Sequence, residues 1–319
     1  RRRLLAAGLA TLAGSCAAAA AFPGQPVRLV VPYAVGIGPD VVARGVAEQL
    51  ARRWAQPVLV DNKPGASGIV AFSDLRRTPA DGHTLYLADT ATMVVNPLLH
   101  AQLPYDPVAD LAPLSLLFRA TFLLWTGGAN PHRTLAELLA HARRQPGATS
   151  YATLGNGHAS HVAMETFARA AGVQMLHVPF KDAGAMFTAV ASGDVDVTPV
   201  GMNSAAGLMA AGKLRPLGVA ARQRLASHPA IPTLAEAGGP PVEMHPWAGL
   251  AAPAGTPPAV LAQLHEDLLA ALAAPELRQR TEQAGFELTP GSPQAMRERM
   301  AADVALVRPL LDEGRIARF

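Results

Sequence analysis

VRLVVPYAVGIGPDVVAR, residues Val27–Arg44, passes from an apolar run through a loop of small residues into an amphipathic segment without a break. The stretch Thr149–Arg169, TSYATLGNGHASHVAMETFAR, repeats the construction. Each reads as a strand, a glycine loop and a helix start. A helix start carries unpaired backbone N–H groups and the positive end of the helix dipole, and glycine beside it lets a ligand approach the main chain. Each junction is therefore a candidate anion seat. Their wide separation in sequence suggests one seat in each of two lobes that face a shared cleft.

Outward from the first junction, Val27–Val31, Val58–Asp61 and Thr84–Ala88 read as buried strands. Between the first two, Asp40–Trp54 places Val42, Val46 and Leu50 on one helical stripe, with Glu48 and Arg52 paired at i,i+4 on the outer side. Asp81-Gly82 marks a turn. Leu114–Phe118 and Phe122–Thr126 are further strands, and Thr134–Arg144 is a helix closed by Pro146-Gly147. The rhythm then restarts, with strands at Thr149–Ala152, Met175–Val178, Val195–Val200 and Leu214–Ala220 and helices at Ser160–Ala171, Ala183–Ser192 and Ser204–Ala211. A proline-rich crossing, Pro229–Pro258, precedes the closing helices within Ala259–Leu311. Alternation of this kind predicts α/β architecture with mainly parallel sheets wrapped by helices. The expected plan is a leader over 1–21, lobe 1 over 22–124 with 246–319 returning to it, and lobe 2 over 125–245.

A chain of 319 residues, half of them hydrophobic, supports two cores. Arg1, Arg2 and Arg3 account for the net charge of +3; the rest of the chain balances 24 acidic residues with as many basic ones. There is no basic stripe, which argues against nucleic acid. Arg1–Arg3, the apolar Leu4–Ala13 and the small residues Ala17–Ala21 read as an export signal cleaved near Ala21-Phe22, too short for a convincing membrane span. Cys16 is the only cysteine, so no intrachain disulfide can form. Leu12-Ala-Gly-Ser-Cys16 loosely resembles a lipoprotein box, but the alanines that follow favour a cysteine removed with the leader.

Enzymatic and cofactor motifs are poorly supported. Gly36-Ile-Gly38 follows a strand, but Val41 stands where a dinucleotide fingerprint needs its last glycine, and no phosphate-binding GxxxxGK[ST] occurs. His158 and His161 are a possible metal pair that no nearby carboxylate or cysteine completes. Gly-x-Ser-x-Gly is missing, and the adjacency of Ser160 and His161 is not a nucleophile–base geometry. Asp40 suits a helix-dipole partner. Ser160 is either a hydroxyl donor to a ligand or a helix cap, and Lys181 either faces the cleft or is a solvated loop lysine. Thr90 and Thr92 follow the third strand, where open α/β sheets place ligands.

Taken together, Pro26-Val-Arg-Leu-Val-Val-Pro-Tyr33, Asp40-Val-Val-Ala-Arg44, Gln56-Pro-Val-Leu-Val-Asp-Asn-Lys-Pro-Gly65, Asp81-Gly-His-Thr-Leu85, Leu103-Pro-Tyr-Asp-Pro107, Tyr151-Ala-Thr-Leu-Gly-Asn-Gly157, His177-Val-Pro-Phe-Lys181 and Ile231-Pro-Thr-Leu-Ala-Glu-Ala-Gly238 occur in order along a chain that resembles the Bug-type extracytoplasmic solute receptors, the substrate-binding proteins of tripartite tricarboxylate transporters.

The resemblance implies a two-lobed periplasmic binding protein of type II, with an interlobe cleft that closes on a small organic carboxylate. It implies no catalysis, no cofactor, no metal, a monomer, and membrane permease subunits as partners unless the receptor is an orphan. The carboxylate would lie between the Tyr33–Asp40 loop, with Tyr33, Gly36, Ile37, Gly38 and Asp40, and the Gly155–Ser160 loop, with Asn156, Gly157, His158 and Ser160. Thr90, Thr92, Lys181, Gly201 and Asn203 would complete the contacts. Three positions depart from the family pattern. Ile37 intrudes in a loop richer in glycine, Pro39 stands where Thr is common, and Val200 stands where an acid is common. They imply a drier pocket that favours an apolar monocarboxylate over a dicarboxylate or an amino acid. The alternative is a small-molecule enzyme that uses the same cleft.

Overall fold

The computed structural model describes residues 22–318. The expected leader, with its cleavage site at Ala21 and its Cys16, lies outside the described residues. The chain runs β1 (Val27–Val31), α1 (Gly38–Trp54), β2 (Val58–Asn62), α2 (Ile69–Leu75), β3 (Thr84–Asp89), a π-helical turn (Ala91–Val95) and α3 (Asn96–Leu99). It continues through β4 (Leu111–Ala120), β5 (Phe122–Gly127), α4 (Leu135–Arg144), β6 (Ser150–Thr153), α5 (Ala159–Ala171), β7 (Leu176–Pro179), α6 (Ala183–Ser192), β8 (Val197–Gly201), α7 (Met202–Ala210) and β9 (Leu214–Val219). The final elements are β10 (Trp247–Pro253), α8 (Pro258–Leu272), α9 (Pro275–Gln283), β11 (Phe286–Leu288) and α10 (Pro293–Asp312).

These strands build two sheets, ordered β11-β4-β10-β3-β1-β2 and β7-β6-β8-β5-β9. Side chains alternate across each strand, so every central strand feeds two cores. Leu29 and Val31 of β1 join Leu85 and Leu87 of β3 on one face of the first sheet, while Val30, Tyr86 and Ala88 pack on the other. The second sheet divides Leu124 from Leu123 and Trp125 in the same way. Trp125 is wholly buried, and its indole N–H donates to the Val200 carbonyl at 3.1 Å, so no polar atom is stranded with it.

The sheets are mixed rather than mainly parallel. β1 runs parallel to β2 and β3, and β6 parallel to β7 and β8, as strand–helix alternation requires. β10 runs antiparallel to β3 and β4, and β5 antiparallel to β8 and β9. The cause is the passage between sheets. The chain leaves the first sheet at Thr121 and returns at Pro246, and the two crossing segments bond to each other through Ala120 N–H to Pro246 carbonyl at 2.8 Å and Phe122 N–H to Met244 carbonyl at 3.1 Å. β2 proves to be an edge strand with Leu59 exposed, not a buried one. β10 lies inside the crossing read as proline-rich, all seven of its residues buried. Among the described residues no helix is long and apolar enough to cross a membrane.

Candidate functional site

A cavity of about 330 Å³ opens between the two sheets. Its first-sheet wall is Pro32, Tyr33 and Pro39 after β1, Gly65, Ser67 and Gly68 after β2, and Asp89, Thr90 and Ala91 after β3. Its second-sheet wall is His158 and Ala159 at the start of α5, with Gly201, Asn203 and Ser204 at the start of α7. The crossing strands contribute Phe118, Ala120, Phe122 and Pro246–Ala248, and the turn into β11 contributes Ala284, Gly285 and Phe286. Ligands of α/β sheets bind beyond the carboxyl ends of strands, and the segments that follow β1, β2, β3, β6 and β8 all reach this cavity.

Three helices of eight or more residues begin on this cavity: α1 with Pro39 in its first turn, α5 with Ala159, and α7 directly after Gly201. Neither α1 nor α7 has a side-chain cap. Of the two, α7 sets Asn203 and Ser204 of its first turn in the lining, so its free N–H groups bring positive partial charge to the cavity, whereas α1 presents only Pro39, which has no N–H, and carries the Asp40 carboxylate in the same turn. Among the described lining residues there is no Lys or Arg. His158 is not a cation either, because burial lowers its pKa to about 4.

Of the residues expected to bind, Tyr33, Thr90, His158, Gly201 and Asn203 line the cavity. Thr90 ties the end of β3 to the returning chain: its hydroxyl accepts from Trp247 N–H at 3.0 Å. Asn203 bridges the sheets by donating its side-chain amide to the Gln283 carbonyl at 2.6 Å. The others fall outside the lining. Gly36 donates its N–H to Asp40 at 2.8 Å, and Asp40 is almost fully buried, bound also by Arg44 at 2.9 Å and Asn62 at 2.8 Å. Burial opposes ionisation of Asp40, but these bonds outweigh it and hold its pKa below the usual carboxylate range. The carboxylate therefore locks the β1–α1 loop. Ile37 is exposed at the loop surface. Gly38 serves packing: a Cβ there would stand 2.5 Å from the Phe286 ring.

Around α5, His158 is the N-cap, accepting from Ser160 N–H at 3.2 Å. Ser160 is buried, and its hydroxyl oxygen lies 2.8 Å from His158 Nδ1 and accepts from Leu154 N–H at 3.3 Å. Gly157 donates to His161 Nδ1 at 3.2 Å, and Asn156 points to solvent. His161 stacks on His177 with ring centres 3.9 Å apart, and no group of three or more His, Cys, Asp or Glu side chains among the described residues is placed to hold a metal. Lys181 is exposed in the loop before α6. Thr92 is fully buried beneath the wall and bonded to Asp89.

Three parts of the wall escaped sequence reading. Residues 65–68 form a run in which all four φ angles are positive: 130° at Gly65, 45° at Ala66, 50° at Ser67 and 88° at Gly68. Such backbone strain concentrates at ligand sites, and the spacing of Gly65 and Gly68 was its visible signal. Asp89 is 5% exposed. Its carboxylate accepts from Thr92 N–H and Thr92 hydroxyl, both at 2.8 Å, and from the Tyr33 hydroxyl. Burial raises its pKa despite these donors. Finally, Phe118, Phe122, Trp247 and Phe286 make the remaining wall aromatic, with the Phe118 and Phe286 rings 4.7 Å apart.

The family model described as tripartite tricarboxylate transporter family receptor, TctC, matches residues 42–314. A protein of the tcbD–tcbE intergenic region of Pseudomonas sp. strain P51 is 32% identical over 320 residues, covering 99% of this chain and 95% of that protein. BugT of Bordetella pertussis is 30% identical over 79% of this chain and 77% of its own. Among solved structures, an R. palustris protein with adipate superposes with TM-score 0.81 at 31% identity, covering 93% of this chain and all of its own. MatC from Rhodopseudomonas palustris with bound malate gives 0.75 at 28%, covering 89% and 98%. The periplasmic binding protein BugD gives 0.78 at 27%, covering 93% and 100%. The two-lobed solute-binding fold is common to these solved structures and to this chain. The chain belongs to the tripartite tricarboxylate transporter receptor family.

Proposed function

We propose that this protein is an exported, monomeric receptor that captures a small organic carboxylate in the periplasm and hands it to the permease subunits of a tripartite tricarboxylate-type transporter. The observation that carries the reading is a cavity onto which α1, α5 and α7 begin while no Lys or Arg lines it. An anion there is held by backbone N–H groups and helix dipoles, with hydroxyls of Ser67 and Ser204 at hand. The two sheets serve as two lobes that hinge at the paired crossings near Thr121 and Pro246. The aromatic walls favour an apolar ligand body. Bound adipate and malate in two relatives agree in chemical class with this assignment.

A thermal-shift screen against a carboxylate library tests the proposal. A true ligand at about 100 times its Kd stabilises the fold by roughly 2.7 kcal/mol. The best binder is then incubated with the protein and followed by mass spectrometry, with stoichiometric recovery expected of a receptor. Catalytic loss of the compound, or a library with no stabilising carboxylate, contradicts the assignment.

A further inference from the structure

Four carboxyl side chains are buried among the described residues: Asp40, Asp89, Glu165 and Asp267. Three of them have an arginine partner. Arg44 pairs with Asp40 at 2.9 Å, Arg315 with Glu165 at 3.1 Å, and Arg53 with Asp267. Asp89 has no ion pair among the described residues, and it is the one of the four that lines the cavity. Its protein partners are the backbone N–H groups of Ala91 and Thr92, the Thr92 hydroxyl and the Tyr33 hydroxyl. These donors fix the orientation of the carboxylate but bring no positive charge. A buried carboxylate without a cation is unfavourable, and the chain does not supply the cation.

We infer that the missing cation arrives with the ligand: Asp89 makes this a cavity for amino carboxylates, the ammonium seated on Asp89 and the carboxylate at the helix starts. This rests on the receptor reading above and names the ligand class within it. A cavity of about 330 Å³ admits a molecule of amino-acid size. Between the two charged ends, the aromatic walls of Phe118, Phe122, Trp247 and Phe286 meet an apolar body. Tyr33 and Trp247 also offer aromatic rings to a cation near Asp89. The missing acid at position 200 had argued against an amino acid. Val200, however, packs in the core beside Trp125 and is not in the lining, so the acid that matters is at 89.

The experiment uses pairs of compounds that differ only by the amino group: phenylalanine with 3-phenylpropanoate, leucine with 4-methylpentanoate, and 4-aminobutanoate with butanoate. Each is titrated calorimetrically into the full chain and into Asp89→Asn. A charge-assisted bond should make the amino member of at least one pair roughly 10- to 100-fold tighter in the parent protein. Asp89→Asn should abolish that preference while the des-amino partner binds at least as well as before. If the des-amino members bind the parent equally or better, the inference is overturned and the carboxylate receptor stands. If no member of any pair binds while another carboxylate does, the inference is likewise overturned and the receptor reading stands; if no carboxylate binds at all, both fail. The comparison within the parent protein decides the question even if Asp89→Asn does not fold.

Discussion

Gly68→Ala is the substitution whose cost the structure fixes most closely. Gly68 has φ of +88°, and a Cβ built there would stand 2.3 Å from Thr92 Cγ2. Thr92 cannot retreat freely, because its N–H and hydroxyl both bond Asp89 at 2.8 Å. Two effects therefore add. An L-residue in the left-handed region costs about 1–2 kcal/mol, and overpacking a rigid neighbour costs about 1–3 kcal/mol. Loss of unfolded-state freedom offsets about 0.4–1 kcal/mol, which leaves a destabilisation of roughly 2–4 kcal/mol. Gly36 provides the control: its φ is +84°, but a Cβ there meets nothing within 4 Å. Gly36→Ala should cost only about 1 kcal/mol. Urea unfolding of both variants measures the difference between them, and carboxylate affinity should fall only for Gly68→Ala. If the two variants unfold within ~0.5 kcal/mol of each other, Thr92 yields easily and the rigid wall beneath Asp89 does not exist.

Asp40 gives a pH signature. Its proton is held less tightly in the folded protein than in the unfolded chain, so its stabilisation is complete above the unfolded value of about 4 and disappears as pH falls through the lower folded value. Asp40→Asn should thus be less stable than the parent at neutral pH, with the gap narrowing in acid; a constant gap contradicts the assignment. Arg315→Ala removes the partner of the buried Glu165 and should cost about 3 kcal/mol in urea unfolding, of which Glu165→Gln in the same chain should recover part. Thr134→Ala breaks the capping box of α4 and should cost about 1 kcal/mol without altering ligand affinity, since Thr134 lies outside the cavity.

The junctions at Val27–Arg44 and Thr149–Arg169 were legible because a strand, a glycine loop and an amphipathic stripe are local patterns. They led to Tyr33 and His158 in the lining, while Ser160 and Asp40 turned inward to lock their own loops. Residue type alone could not say which way a polar side chain in a helix's first turn would point. Asp89 follows directly on the run read as a strand, Thr84–Ala88, and only the packing of Tyr33 and Thr92 around it sets it apart. The aromatic wall brings together Phe118, Trp247 and Phe286 from distant segments, with no spacing to announce it. β10 was hidden among prolines, yet its apolar run WAGLAAP forms the centre of the first sheet.

The central claim is that helix starts, not basic side chains, hold a carboxylate between the lobes. Calorimetric titration of the best-binding carboxylate beside its uncharged amide tests it most directly, first in low salt and then near 0.5 M. The expected result is saturable one-to-one binding of the carboxylate, at least tenfold loss for the amide, and little salt dependence, because a charge buried between the lobes is screened much less than an exposed one. Equal binding of acid and amide, or binding that vanishes in high salt, would contradict it.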